Sequence, residues 1–206
     1  MATHKIVEVA AGLSQPSSTR MLADRLAAAT LSKLAARGLD AEVQVIELRD
    51  FAHDVTSNLL TNFPSPALAG VVDAVTHADG LIAVTPVFTA SYSGLFKSFF
   101  DVVDNTALEG KPVLLAAPGG TERHSLVLEY QMRPMFAYLH ATPTPTAVYA
   151  ASTDWGGGME QQRTLQDRID QAAGELAELV AARPAAADRP AAHLGSIPFE
   201  QLLAHG

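Results

Sequence analysis

Short apolar runs recur along the chain, each followed by a stretch in which apolar residues return every three or four positions. That alternation predicts a doubly wound α/β fold, with parallel strands in one sheet and helices on both faces. Residues 6–10, 42–48, 80–84, 112–117 and 146–151 read as five strands. The first helix starts at a Ser17-Ser18-Thr19 cap, keeps Leu22, Leu26 and Ala29 on one face and stops at Gly38. Further helices are expected over 67–76, 95–103 and 125–140, the last bent by Pro134, and over 159–182 with Leu165, Ile169, Leu176 and Leu179 inward. Residues 49–65 read as a long polar connection. Five strands separated by helices fit a three-layer sandwich with strand order 2-1-3-4-5.

The same pattern divides the chain into one domain over residues 1–182 and an Ala/Pro-rich tail over 183–206, within which the apolar segment 197–203 is able to dock on a surface. The full length of 206 residues buries a large single core. A hydrophobic content of 48% with 17% charged residues is ordinary for a cytoplasmic α/β enzyme, and no apolar run approaches the roughly 20 residues of a membrane span. There is no cysteine, which removes disulfides, thiolate metal sites and thiol nucleophiles together. A net charge of −8 disfavours nucleic acid and anionic lipid, so an anionic ligand must be held by local amides and hydroxyls.

In a 2-1-3-4-5 sheet the loops after strands one, three and four emerge side by side, and the chemistry is sought there. After strand one, Gly12-Leu13-Ser14-Gln15-Pro16-Ser17-Ser18-Thr19-Arg20 places hydroxyls from Ser14, Ser17, Ser18 and Thr19 at a helix N-terminus, which suits a phosphate. Simple helix capping by Ser17 or Ser18 explains one of these hydroxyls equally well. No Gly-Lys-Ser/Thr and no GxGxxG follows, which disfavours a nucleotide-triphosphate loop and a dinucleotide Rossmann site.

The second loop, Thr85-Pro86-Val87-Phe88-Thr89-Ala90-Ser91-Tyr92-Ser93-Gly94, offers Pro86, Val87 and Phe88 to a flat ring, with Phe88 as ordinary core filler the alternative. Ser91, Tyr92 and Ser93 orient the loop or cap the next helix. In the third loop, Gly119, Gly120 and Thr121 offer backbone amides to the polar edge of such a ring; a plain glycine turn is the other reading. A flavin is the leading ligand of this combination. The histidines are dispersed, with no HExxH or HxH pair, and no metal site is expected. Asp101 and Asp104 suit a solvated helix face, and no Gly-x-Ser-x-Gly elbow supports a hydrolase.

Taken in order, Gly12-Leu13-Ser14 with Ser17-Ser18-Thr19, Thr85-Pro86-Val87-Phe88 with Ser91-Tyr92-Ser93-Gly94-Leu95-Phe96-Lys97, and Gly119-Gly120-Thr121 through Leu128-Glu129-Tyr130-Gln131-Met132-Arg133-Pro134 resemble the NADPH-dependent FMN reductase family. Within it the resemblance is to reductases that partner luciferase-like monooxygenases. It implies a flavodoxin-like fold, FMN and NADPH or NADH as cofactors, and hydride transfer from nicotinamide to flavin without a protein acid or base. It also implies delivery of reduced FMN to a partner monooxygenase.

Under that resemblance Ser14, Ser17, Ser18 and Thr19 hold the phosphate, Pro86, Val87 and Phe88 meet the ring, and Gly119, Gly120 and Thr121 meet its polar edge. A homodimer or homotetramer is implied, together with a π-bulge in the helix that carries Tyr130. Where the family loop is commonly Gly-Ser-x-Arg, this chain has Leu13 and Pro16 in the glycine and arginine places, which leaves Arg20 as the replacement cation. A reductase that retains its flavin and acts on quinones or azo compounds, and a non-enzymatic flavodoxin-type carrier, are the competing readings.

Overall fold

The computed structural model describes residues 3–156 and 158–185. Its central sheet runs β2 (Ala41–Glu47), β1 (His4–Ala10), β3 (Gly80–Val84) and β6 (Pro112–Gly119), all parallel, in that spatial order. Two short segments, β7 (Thr142–Pro143) and β8 (Val148–Ala151), both pair with β6 and together form the far edge. The order is therefore the expected 2-1-3-4-5, with a broken fifth strand. The three central strands are buried on both sides, which is why they read as continuous apolar runs.

Alternation across the pleat sends Ile6, Ala10, Ile82, Val84, Leu114 and Ala116 to one face, where α1 (Ser18–Ala35) and α7 (Met159–Ala181) cover them with Leu22, Leu26, Ile169 and Leu176. α7 lies so close over β3 that a Cβ on Gly80 would come within 2.9 Å of Val180. Val7, Val9, Leu81, Ala83, Val113 and Leu115 face the opposite layer, built from α3 (Pro66–His77), α4 (Gly94–Val102) and α5 (Arg133–Tyr138). There Phe96 and Phe136 each meet Phe100 edge-on at 4.9 Å, fixing α4 against α5.

Three elements differ from the sequence reading. The connection over 49–65 contains a 3-10 turn (Leu48–Phe51) and a helix, α2 (Ala52–Thr61), which ends at Asn62 with φ 59°. Only Val55 of α2 is buried, and the polar residues between Ala52 and Thr61 give the segment the composition of a connection. The helix expected over 125–140 is two pieces, a π turn (Leu128–Met132) and α5, and a 3-10 turn (Glu122–His124) precedes them. Arg133 N–H closes the π turn on the Leu128 carbonyl, and Pro134 then opens α5 within its first turn, where its missing N–H is harmless.

The fifth strand starts at Val148 rather than 146, because Glu175 takes both the Thr146 N–H, at 2.6 Å, and its hydroxyl, at 2.7 Å. The tail after residue 185 and its apolar segment 197–203 lie outside the described residues.

Candidate active site

The carboxyl ends of β1, β3 and β6 carry the three loops in which chemistry was sought. In the first, the chain turns tightly enough that a Cβ on Gly12 would lie 2.1 Å from Ser17 Oγ. Ser17 is the N-cap of α1 and accepts from Arg20 N–H at 3.2 Å. Among the described residues, no backbone amide from Gly12 to Thr19 donates to a protein group, so a row of N–H donors stands at the positive end of an 18-residue helix. The Gln15–Pro16 peptide is cis.

The second loop is more ordered than its sequence indicated. Val87–Phe88 (β4) and Ser91–Tyr92 (β5) form a small antiparallel hairpin, turned by Thr89 and Ala90 at φ 49° and 63°. Positive φ at both turn residues is what a two-residue hairpin of this twist demands, although neither residue is glycine. The hairpin base is fixed by Thr85, whose hydroxyl accepts from Ser93 N–H at 3.0 Å, and Ser93 in turn caps α4 by accepting from Phe96 N–H at 3.2 Å. Phe88 is thereby held at the tip side of the hairpin with 45% of its surface exposed, so it is not core filler.

In the third loop β6 runs two residues further than expected, and Pro118 and Gly119 pair with Ala150 and Ala151. A Cβ on Gly119 would sit 1.9 Å from the Tyr149 hydroxyl, which donates to the Thr121 carbonyl at 2.7 Å. Burial and the nearby Glu122 raise the Tyr149 pKa, so the hydroxyl keeps the proton it donates. At Gly120 a Cβ would meet nothing, so that backbone faces open space.

Between these loops lies a cleft of about 230 Å³ lined by Ser18, Pro86, Val87, Phe88, Pro118, Gly119, Gly120, Ser152 and Trp155. Six of the ten residues expected at a site thus share one cavity. Ser14, Ser17, Thr19 and Thr121 do not line it. Ser14 is exposed and donates to the Pro16 carbonyl at 3.1 Å, Ser17 caps α1, Thr19 is buried, and Thr121 caps the 3-10 turn of the third loop. A larger cavity, about 610 Å³, opens among α2, α3 and the end of α4 and includes none of the three loops. Open parallel sheets bind ligands at the carboxyl edge, and the smaller cleft is the one placed there.

Ser152 and Trp155 were missed in the sequence. Both lie on α6 (Ser152–Gly156), immediately after the last strand, and Trp155 is the single tryptophan of the chain. Its position at a strand's carboxyl end was the available signal. The guanidinium of Arg25 stands 4.9 Å from its ring centre, and Thr153 donates to Glu122 at 2.8 Å, which joins α6 to the third loop.

Arg20 does not replace the absent loop arginine. Its guanidinium bonds Asp24 at 2.8 Å and Glu47 at 2.9 Å and stands 3.5 Å from Glu8. Glu8 lies on the sheet face beneath α1, is fully buried, and has no hydrogen bond to either carboxylate oxygen among the described residues. Desolvation, reinforced by Asp24 and opposed by Arg20, pushes its pKa from 4.5 to about 7.

Residues 4–156 match the family model described as NADPH-dependent FMN reductase. The chain belongs to that family. It is similar to the FMN reductase (NADPH) of Pseudomonas aeruginosa, 39% identical over 179 residues, covering 87% of this chain and 94% of that protein. It is also similar to the NADH-dependent FMN reductase SfnF of Pseudomonas fluorescens, 38% identical over 85% of this chain and 91% of that one. Among solved structures, an oxidoreductase from Corynebacterium diphtheriae superposes with a TM-score of 0.85 at 42% identity, covering 88% of this chain and 99% of that one. The apo form of an NADH:FMN oxidoreductase superposes at 0.71 with 29% identity, covering 91% and 98%. The π turn expected from the family resemblance is present, and Tyr130 within it is 71% exposed. Among the described residues no helix is long and apolar enough to cross a membrane.

Proposed function

We propose that the chain is an NAD(P)H-dependent FMN reductase whose flavin occupies the cleft between the three loops. The observation that carries this reading is the convergence of Ser18, Pro86, Val87, Phe88, Gly119 and Gly120 on one cavity in a chain of this family.

The residues present fit FMN. The unpaired amides at the start of α1, with the Ser18 hydroxyl in the cleft, suit the phosphate and need no cation to do so, while Val87, Phe88 and Trp155 supply apolar surface for a flat ring. Gly120 leaves its backbone open to close approach. Bound there, the flavin would supply a two-electron acceptor for the hydride of a reduced nicotinamide.

The protein's own work is positional. Ser14, Ser17, Ser18 and Thr19 contribute the first loop's amides, the hairpin presents Phe88 from a base locked by Thr85 and Ser93, and Tyr149 fixes the third loop through the Thr121 carbonyl. Hydride transfer from nicotinamide to flavin asks for no protein acid or base.

We further propose that reduced FMN leaves for a separate luciferase-like monooxygenase in the cytoplasm; similarity to proteins described as FMN reductases supports FMN as the species that turns over. The exposed Leu126, Tyr130 and Tyr138, along the π turn and α5, support association into a homodimer or homotetramer. Oxidation of NADPH and of NADH, each followed by absorbance with and without FMN, FAD and riboflavin, tests the activity. Turnover requiring added FMN supports the reading, whereas turnover on quinones without added flavin supports a flavin-retaining reductase.

A further inference from the structure

We propose that Arg49 is a positioning residue for FMN, acting through the backbone of the first loop rather than by touching the ligand. This rests on the reading of that loop as the phosphate site.

Leu13, Ser14, Gln15 and Pro16 are all exposed, and the Ser14 hydroxyl bonds only within the loop, to the Pro16 carbonyl. Among the described residues the tip is tied to the rest of the fold by Arg49, whose Nη1 donates to the Ser14 carbonyl at 3.2 Å across 35 residues of sequence. With the Gln15 amide turned so that its oxygen faces Arg49, that oxygen accepts from both Nη atoms, at 3.0 and 2.7 Å. Arg49 therefore grips two consecutive residues of the loop. Its planar fork suits this; a lysine ammonium does not.

Arg49 is itself held. Its Nη2 lies 2.5 Å from Glu47 Oε2 and its Nε 3.6 Å from Asp50. The other oxygen of Glu47 accepts from Arg20 at the start of α1. One carboxylate at the end of β2 thus links the cation that holds the loop to the helix that the loop enters. Glu47 and Asp50 offset the positive charge of Arg49, so its contribution is orientation and not attraction of an anion.

Peptide geometry states the consequence. The Ser14 carbonyl and the Gln15 N–H belong to one planar trans unit and point in opposite directions. A carbonyl drawn to Arg49 turns the Gln15 N–H away from it and keeps that donor from collapsing onto β2. Released, the tip samples many conformations, and the amides lose their common direction before any ligand arrives.

The test is titration of wild type, R49A and R49K with FMN and with riboflavin, which lacks the phosphate, alongside KM and kcat for FMN turnover. R49A is expected to weaken FMN about tenfold while riboflavin stays within about twofold and kcat at saturating FMN is unchanged; R49K is expected to fall between R49A and wild type. The proposal is overturned if FMN affinity is unchanged in both variants, or if FMN and riboflavin weaken together, as a purely structural role requires. R49K carries the test if R49A does not fold. Wild type serves as the separate control: binding neither flavin overturns the proposed function itself, and binding both equally overturns the phosphate reading of the loop.

Discussion

The two glycines of the third loop look equivalent in sequence and are opposites in the fold. Gly119 is glycine because Tyr149 fills the space, and Gly120 is glycine where nothing of the protein does. Substituting Gly119→Ala is expected to lower stability by ~2 kcal/mol in urea unfolding, since the Tyr149 hydroxyl must move and release Thr121. Gly120→Ala is expected to leave stability within ~0.5 kcal/mol and to raise KM for FMN, because the added methyl projects toward the ligand.

Glu8 has a different signature. Its folded pKa lies above its unfolded one, so the native state holds a proton that the unfolded chain releases. The associated stability is complete below pH 4.5 and is lost as pH rises to about 7, an effect of ~3 kcal/mol at most. Comparing Glu8→Gln with wild type by urea unfolding across this range, the advantage of the variant is expected to grow with pH and level off above about 7.

At the scale of elements, the hairpin tip stores strain. Thr89 and Ala90 both sit in the left-handed region, which residues with a Cβ disfavour. Ala90→Gly is expected to stabilise by ~0.5 kcal/mol, the relief of strain exceeding the extra entropy of glycine in the unfolded chain, and to raise Tm by about two degrees. No turn signal of the Asn-Gly type marks this hairpin, so the sequence does not distinguish it from an irregular loop.

α2 is hidden for another reason: His53, Asp54, Thr56, Ser57, Asn58 and Thr61 give it the polar composition of a connection, and Val55 is its single buried residue. By contrast β3, five consecutive buried residues ending at Thr85-Pro86, was legible to the residue. Of the candidate cleft, the six lining residues that sequence-local loops display, Ser18, Phe88 and Gly120 among them, are legible in the sequence. The network of Glu8, Arg20, Glu47 and Arg49 was not, because it joins two neighbouring strands and a helix that only the folded sheet brings together.

For the whole molecule, the close packing of α7 and the candidate cleft lie at opposite ends of the sheet. Leu176 and Val180 of α7 close over Gly80 at the amino end of β3, while the loops of the cleft leave from the carboxyl end. Leu176→Ala is accordingly expected to cost ~3 kcal/mol in denaturant unfolding and to leave KM for FMN unchanged at temperatures where the variant is folded. A parallel change in KM would show that packing at one end is felt at the other.

The broken fifth strand bears on how the chain behaves when crowded with its own copies. Pro143 and Pro145 withhold donors along that margin, Arg133 takes the carbonyls of Thr144 and Pro145, and Glu175 takes the Thr146 amide. An incoming β-chain finds no continuous ladder there to extend. β2 on the far margin runs seven unbroken residues, with Val45 partly bare between Gln44 and the ion-paired Glu47. Strand addition, and any fibrillar aggregate that grows from it, would begin on that side.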